Sequence, residues 1–179
     1  MRHSTLVRLL APTLGRARFF GVALALAFAA PASALDVPQG DVLLTVTGAI
    51  TETNTTDAAQ FDRAMLEAFE AIEIETTTIW TDGVQTFVGV ELDDLLAAVG
   101  ADGAMLRAVA HNDYAVDIPI SDARDGGPII AYLRNGDVMS LREKGPLWVI
   151  YPFDHAPDFQ TELIYSRSIW QLDRIEIQP

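Results

Sequence analysis

Phe87-Val88-Gly89-Val90-Glu91-Leu92-Asp93-Asp94-Leu95-Leu96, closed four residues on by Gly100, is the stretch that carries the fold. Leu92, Leu95, Leu96 and Val99 fall at i, i+3, i+4 and i+7, the apolar stripe of a helix over Val90–Val99. Gly100 can adopt the left-handed conformation that ends such a helix. Asp93 and Asp94 lie near its N-terminal end, where negative charge suits the macrodipole. Neighbours on a helix point in different directions, so the pair is no catalytic carboxylate dyad.

Outward from this helix the chain reads mostly as short strands. Downstream, Met105–Ala110 and Ala115–Ile118 have strand character. Ile129–Arg134, Asn135-Gly136 and Val138–Leu141 read as a hairpin, since Asn-Gly favours the tight type I′ turn. Leu147–Tyr151 is a buried-looking strand, and Ile169–Ile177 alternates as a terminal one. Upstream, Gln39–Gly48 alternates through Val42, Leu44 and Val46. Phe61, Met65, Phe69 and Ile72 recur at helical spacing behind an N-cap at Thr55 or Thr56, and read as a core stripe. Glu73–Trp80 is a further strand, rich in isoleucine and threonine. Many short strands with two helices predict an α+β fold, mixed short β-sheets with few helices, rather than βαβ winding.

The N-terminus reads as an export signal. Arg2, Arg8, Arg16 and Arg18 precede an apolar run over Phe19–Ala30, and Ala32-Ser33-Ala34 offers small residues for a signal peptidase. The run is about 12 residues, short of the roughly 20 of a spanning helix. Cleavage is expected after Ala34, leaving 35–179 as one periplasmic domain with no direct membrane insertion. Arg16 and Arg18 are separated by Ala17, which lacks the adjacent pair of folded-protein export. Beyond Ala34, eight basic residues face 25 acidic ones, a net charge of −17 that repels nucleic acid and anionic lipid. There is no cysteine.

The 87–96 segment resembles the "aromatic-x-Gly-Val-x-Leu-x-x-Leu-Leu" signature of sulfite-oxidase-like molybdopterin-binding domains. Asn112-Asp113-Tyr114 with Ile118-Pro119, Ile130-Ala131-Tyr132 with Asn135-Gly136, and Gly145-Pro146-Leu147 through Tyr151-Pro152 resemble further family segments in order. The resemblance implies the sulfite-oxidase-like fold over 35–179. In catalytic members a cysteine about a dozen residues before the first segment holds the metal, and an arginine follows Gly-Pro-Leu. Here the first window is Thr76-Thr77-Thr78-Ile79-Trp80 and the second position is Trp148. A threonine hydroxyl stays protonated and is a poor ligand for a soft metal. The departure argues against molybdopterin redox catalysis, and no catalytic or metal-binding residue is assigned.

The chain is similar in two further runs, Thr77-Thr78-Ile79-Trp80-Thr81-Asp82-Gly83 and Tyr165–Leu172, to small exported proteins of this fold that lack the cysteine. Some of these bind reduced pterins and report to membrane-bound enzymes of cyclic-di-GMP signalling. The resemblance therefore implies a tetrahydropterin-type ligand and a membrane-bound signalling partner. A flat ring with an amide edge needs an aromatic face and a few polar groups. Trp80, Tyr114 and Phe153 are candidate faces. Asp82, Asn112, Asp113 and Asp154 can accept from the amine edge, Arg134 can donate to the carbonyl, and Thr78 completes the set. Two roles stay open for Trp80, ring stacking or core packing, and Asp82-Gly83 also reads as a turn. His155, flanked by Asp154 and Asp158, is a weak hard-cation candidate. Two alternatives to pterin sensing remain: a molybdopterin-dependent oxidoreductase or its accessory subunit, and an empty domain used for protein contacts.

Overall fold

The computed structural model describes residues 35–179. The expected leader, its cleavage site and residues 1–34 lie outside the described residues. In chain order the strands are β1 (Val42–Gly48), β2 (Ala59–Asp62), β3 (Ala71–Thr77), β4 (Val84–Glu91), β5 (Met105–Ala110), β6 (Ala115–Pro119), β7 (Ile129–Arg134), β8 (Asp137–Val138), β9 (Trp148–Ile150) and β10 (Leu172–Gln178). Three short helices, α1 (Arg63–Glu67), α2 (Leu92–Ala98) and α3 (Glu162–Arg167), interrupt them. The architecture is α+β with mixed sheets.

One sheet runs β2-β1-β10-β5-β6. Its β1–β10 pairing is parallel, with Thr45 opposite Arg174 and Gly48 opposite Ile177, so the two ends of the domain meet at its centre. Gly48 has φ +89°, and a side chain there would drive into the Ile177 carbonyl. The second sheet runs β3-β4-β7-β8, with β9 beside β8 on the same flank of β7. Alternation decides which faces turn inward: β1 buries Leu44 and Val46, β5 buries Leu106, Ala108 and Ala110. Buried side chains of both sheets join Leu92, Leu95, Leu96 and Val99 in one hydrophobic cluster.

The helix stripe at 92–99 is buried throughout, and Gly100 closes it at φ +58°. The strand before it, β4, extends to Glu91, so the helix begins two residues later than its periodicity predicts. The hairpin also forms, with φ positive at both Asn135 and Gly136 as a type I′ turn requires. Its second strand stops at Val138, and Leu141–Glu143 coils into a 3₁₀ turn.

The Phe61–Ile72 stripe is not one helix. Phe61 lies in β2 opposite Leu44, α1 lasts five residues, and Ile72 already belongs to β3. The N-cap is Asp62, not Thr55 or Thr56. Its Oδ1 accepts the Met65 N–H at 2.9 Å, while Oδ2 accepts the Gln39 and Gly40 N–H groups at 2.7 and 2.8 Å. That double duty starts the helix where the chain must also be anchored.

Candidate functional site

A cavity of about 470 Å³ opens where three loops meet. The turn after β3 brings Ile79 and Trp80, the β5–β6 turn brings Asn112 and Tyr114, and α3 with its exit brings Tyr165, Ser166, Ser168, Ile169 and Trp170. Each loop is held by local hydrogen bonds. Thr78 Oγ1 accepts the Trp80 N–H at 3.1 Å and shares a 2.8 Å bond with Thr81 Oγ1, which turns the indole inward. In the β5–β6 turn Asp113 adopts φ +64°, and Asn112 Oδ1 accepts the Tyr114 N–H at 3.2 Å. Helix α3 is capped by Thr161, whose Oγ1 accepts the Ile164 N–H.

Trp80 is the hub of the wall. Its ring lies 5.4 Å from Trp170 and 5.9 Å from Tyr165, both nearly edge-on, and 5.8 Å from Trp148 and 6.3 Å from Phe153. Offset and edge-to-face rings at such spacing contribute beyond the area they bury. Trp80 packs on the core and lines the cavity. Ile79 and Tyr114, 62% and 55% exposed, form an open apolar rim.

The sequence-predicted residues divide. Trp80, Asn112 and Tyr114 line the cavity together. Phe153 does not offer a face there: it is 1% exposed and underlies Trp80 and Tyr165. Thr78 acts through its bond to the Trp80 N–H rather than as a wall. Asp82 sits in the turn before β4, its carbonyl accepting from Gln85 Nε2. Asp113 pairs with Arg174 beside the mouth. Arg134 stands at the far end of β7, opposite Phe87 and Asp137, and is not part of the wall. Asp154 spends both carboxylate oxygens on Thr77, accepting its N–H at 2.6 Å and its hydroxyl at 2.8 Å. These donors, the Thr77 N–H foremost, hold the Asp154 carboxyl below the ordinary carboxylate range.

The hydroxyls of Thr76, Thr77 and Thr78, in the window where the resemblance expects a metal cysteine, are committed elsewhere. Thr76, fully buried, accepts the Asp154 N–H at 3.1 Å and donates to the Thr77 carbonyl. Thr77 and Thr78 are engaged as above. The window straps β3 to the segment after β9 instead of presenting a ligand. Trp148, fully buried, donates its indole N–H to the Ser168 carbonyl at 3.2 Å. Neither donor set fits a molybdenum centre held by thiolate. Among the described residues no three His, Cys, Asp or Glu side chains cluster as metal ligands, around His155 or elsewhere.

Sequence reasoning missed helix α3 and gave Tyr165, Ser166 and Ser168 no place in the site, although the run Tyr165–Leu172 carries part of the resemblance. Six residues give too short a period to register, although Thr161 before Glu162 is a start signal. The helix is pinned from behind by Arg167, whose Nη1 donates to Asp122 Oδ2 at 2.8 Å, and the Tyr151 hydroxyl donates to the same oxygen at 2.8 Å. Burial pushes the Tyr151 phenol well up, and its bond to Asp122 adds to the shift.

The sulfane dehydrogenase SoxCD from Paracoccus pantotrophus matches with a TM-score of 0.58 and 19% identity, over 81% of this chain. The likeness is one of fold. The match spans only 40% of that chain, less than half its length. No protein-family model matches the sequence, and no curated protein matches it either.

Proposed function

We propose that this chain is an exported regulatory protein of sulfite-oxidase-like fold that binds a reduced pterin and signals its presence to a membrane-bound cyclic-di-GMP enzyme. The observation that carries the reading is the cavity itself. Its 470 Å³ falls within the roughly 300–1,000 Å³ of small-molecule sites. Trp80, Tyr114, Tyr165 and Trp170 supply ring faces and edges, and Asn112 supplies an amide that can match the amide edge of a pterin. Committed threonines in place of the thiolate favour binding over electron transfer.

The test is thermal unfolding of the purified domain with and without tetrahydrobiopterin. A ligand that binds only the folded state raises the Tm by mass action. The expected rise vanishes in Trp80→Ala and in Asn112→Ala, the latter an exposed residue whose ligand-free Tm reads any cost to its turn. A flat response across reduced and oxidised pterins would defeat the reading. The likeness to a sulfane dehydrogenase favours a second one, a molybdopterin-dependent oxidoreductase or its accessory subunit. One molybdenum per chain in material isolated from cells would establish it instead.

A further inference from the structure

We propose that the cavity selects uncharged pterins and rejects their phosphate esters; this rests on the pterin reading above. No residue of the cavity wall is charged. A phosphate needs guanidinium, ammonium or free backbone N–H donors aimed at it, and the nearby cationic side chains face other groups. Arg167 is held by Asp122, with both side chains under one-fifth exposed. Arg174 is paired with Asp113 and lies 3.6 Å from Asp173. The Lys144 ammonium rests on the ring faces of Trp170 and Trp148.

The serines on the wall turn their protons inward. Ser166 donates to the Leu163 carbonyl at 2.7 Å and Ser168 to that of Ile164 at 2.9 Å. The first turn of α3 carries Glu162. Near the mouth the Asp113 carboxylate is offset by Arg174, and Asp82, two residues after Trp80, adds a negative charge that forms no ion pair among the described residues. Eight basic residues against 25 acidic ones across the domain deepen that field. An anionic tail would leave water for a wall with no charged donor to offer and a domain field that repels it.

The experiment is calorimetric titration of the mature domain with hydroxymethyl-dihydropterin and with its pyrophosphate ester, at low and high salt. The parent compound is expected to bind, with the ester at least about tenfold weaker in about 0.02 M salt. The gap should narrow in about 0.5 M salt, where the Debye length falls to a few Å. Equal affinities, or a tighter ester, would overturn the selectivity while leaving pterin binding in place. A gap that ignores salt would assign it to shape and overturn the electrostatic cause. Binding of neither compound would remove the pterin reading, and the selectivity with it.

Discussion

The Lys144 ammonium stands 4.1 Å from the centroid of the Trp170 ring, the indole that lines the cavity from below, and 5.6 Å from that of Trp148. Lys144 adopts φ +77°, which a non-glycine residue accepts only when its surroundings hold it there. Its carbonyl accepts the Gln171 N–H at 2.9 Å, tying the lysine to the residue after Trp170.

A cation over an indole contributes about 0.5–2 kcal/mol. Lys144→Met should therefore lower the unfolding free energy by about 1 kcal/mol, read as a shift of the urea midpoint by tryptophan fluorescence. Lys144→Arg, which keeps the charge and stacks on the ring, should recover most of it. Equal losses in both variants would show that the alkyl stem, not the charge, holds Trp170.

Gly89 explains why the stretch 87–96 requires a glycine. A Cβ there would lie 2.3 Å from the Ile130 carbonyl oxygen and 2.7 Å from Ala131 Cα, both backbone atoms of the paired strand β7. Neither can yield without opening the ladder. Gly89→Ala should destabilise the domain by about 2 kcal/mol or more, while Gly83→Ala, with nothing within 4 Å but φ +68°, should cost about 1 kcal/mol. Comparable midpoints for the two variants in urea would contradict the close approach.

These two glycines also show what the sequence could reveal. The 92–99 stripe was legible because its periodicity acts within a few residues, whereas the close approach of Gly89 to Ile130 and Ala131 spans about 40 residues and leaves no local pattern. The α+β class followed from the same kind of local signal. The 61–72 stripe misled for a physical reason: strand, one helical turn and strand place Phe61, Met65, Phe69 and Ile72 at a spacing that a long helix would share. Phe61 and Phe69 still pack together, rings 6.2 Å apart, so the core role survives the wrong element. Trp80, Asn112 and Tyr114 are singled out through the resemblance and the chemistry it implies, and the structure brings them to one cavity. Tyr165 and Trp170 converge on them only through α3 and its clamp to Asp122, contacts of long sequence separation that no pattern records.

That clamp can be taken apart. Asp122→Ala would leave Arg167, 15% exposed and with its Nε already lacking a partner, as an uncompensated charge. The expected loss is about 3 kcal/mol. Tyr151→Phe removes one hydrogen bond and leaves the ion pair, so its cost should be near 1 kcal/mol. Denaturant unfolding orders the two, and a milder Asp122→Ala would mean that Arg167 escapes to solvent.

Acid should unfold the domain through two carboxylates. The Met65 N–H, then those of Gly40 and Gln39, hold the Asp62 carboxyl below its ordinary value of 3.8, and the Thr77 N–H does the same for Asp154. A carboxyl whose folded pKa is lowered binds fewer protons in the folded state, so stability rises with pH across the interval between the two values. The contribution is complete above the ordinary value of 3.8 and disappears as pH falls through the lowered one. Asp62→Asn keeps an N-cap acceptor, and Asp154→Asn keeps one oxygen for Thr77, so both variants should fold. Urea midpoints measured from neutral pH down to about pH 2 should fall less steeply in the double variant than in the parent. Parallel curves would show that neither carboxylate is linked to unfolding.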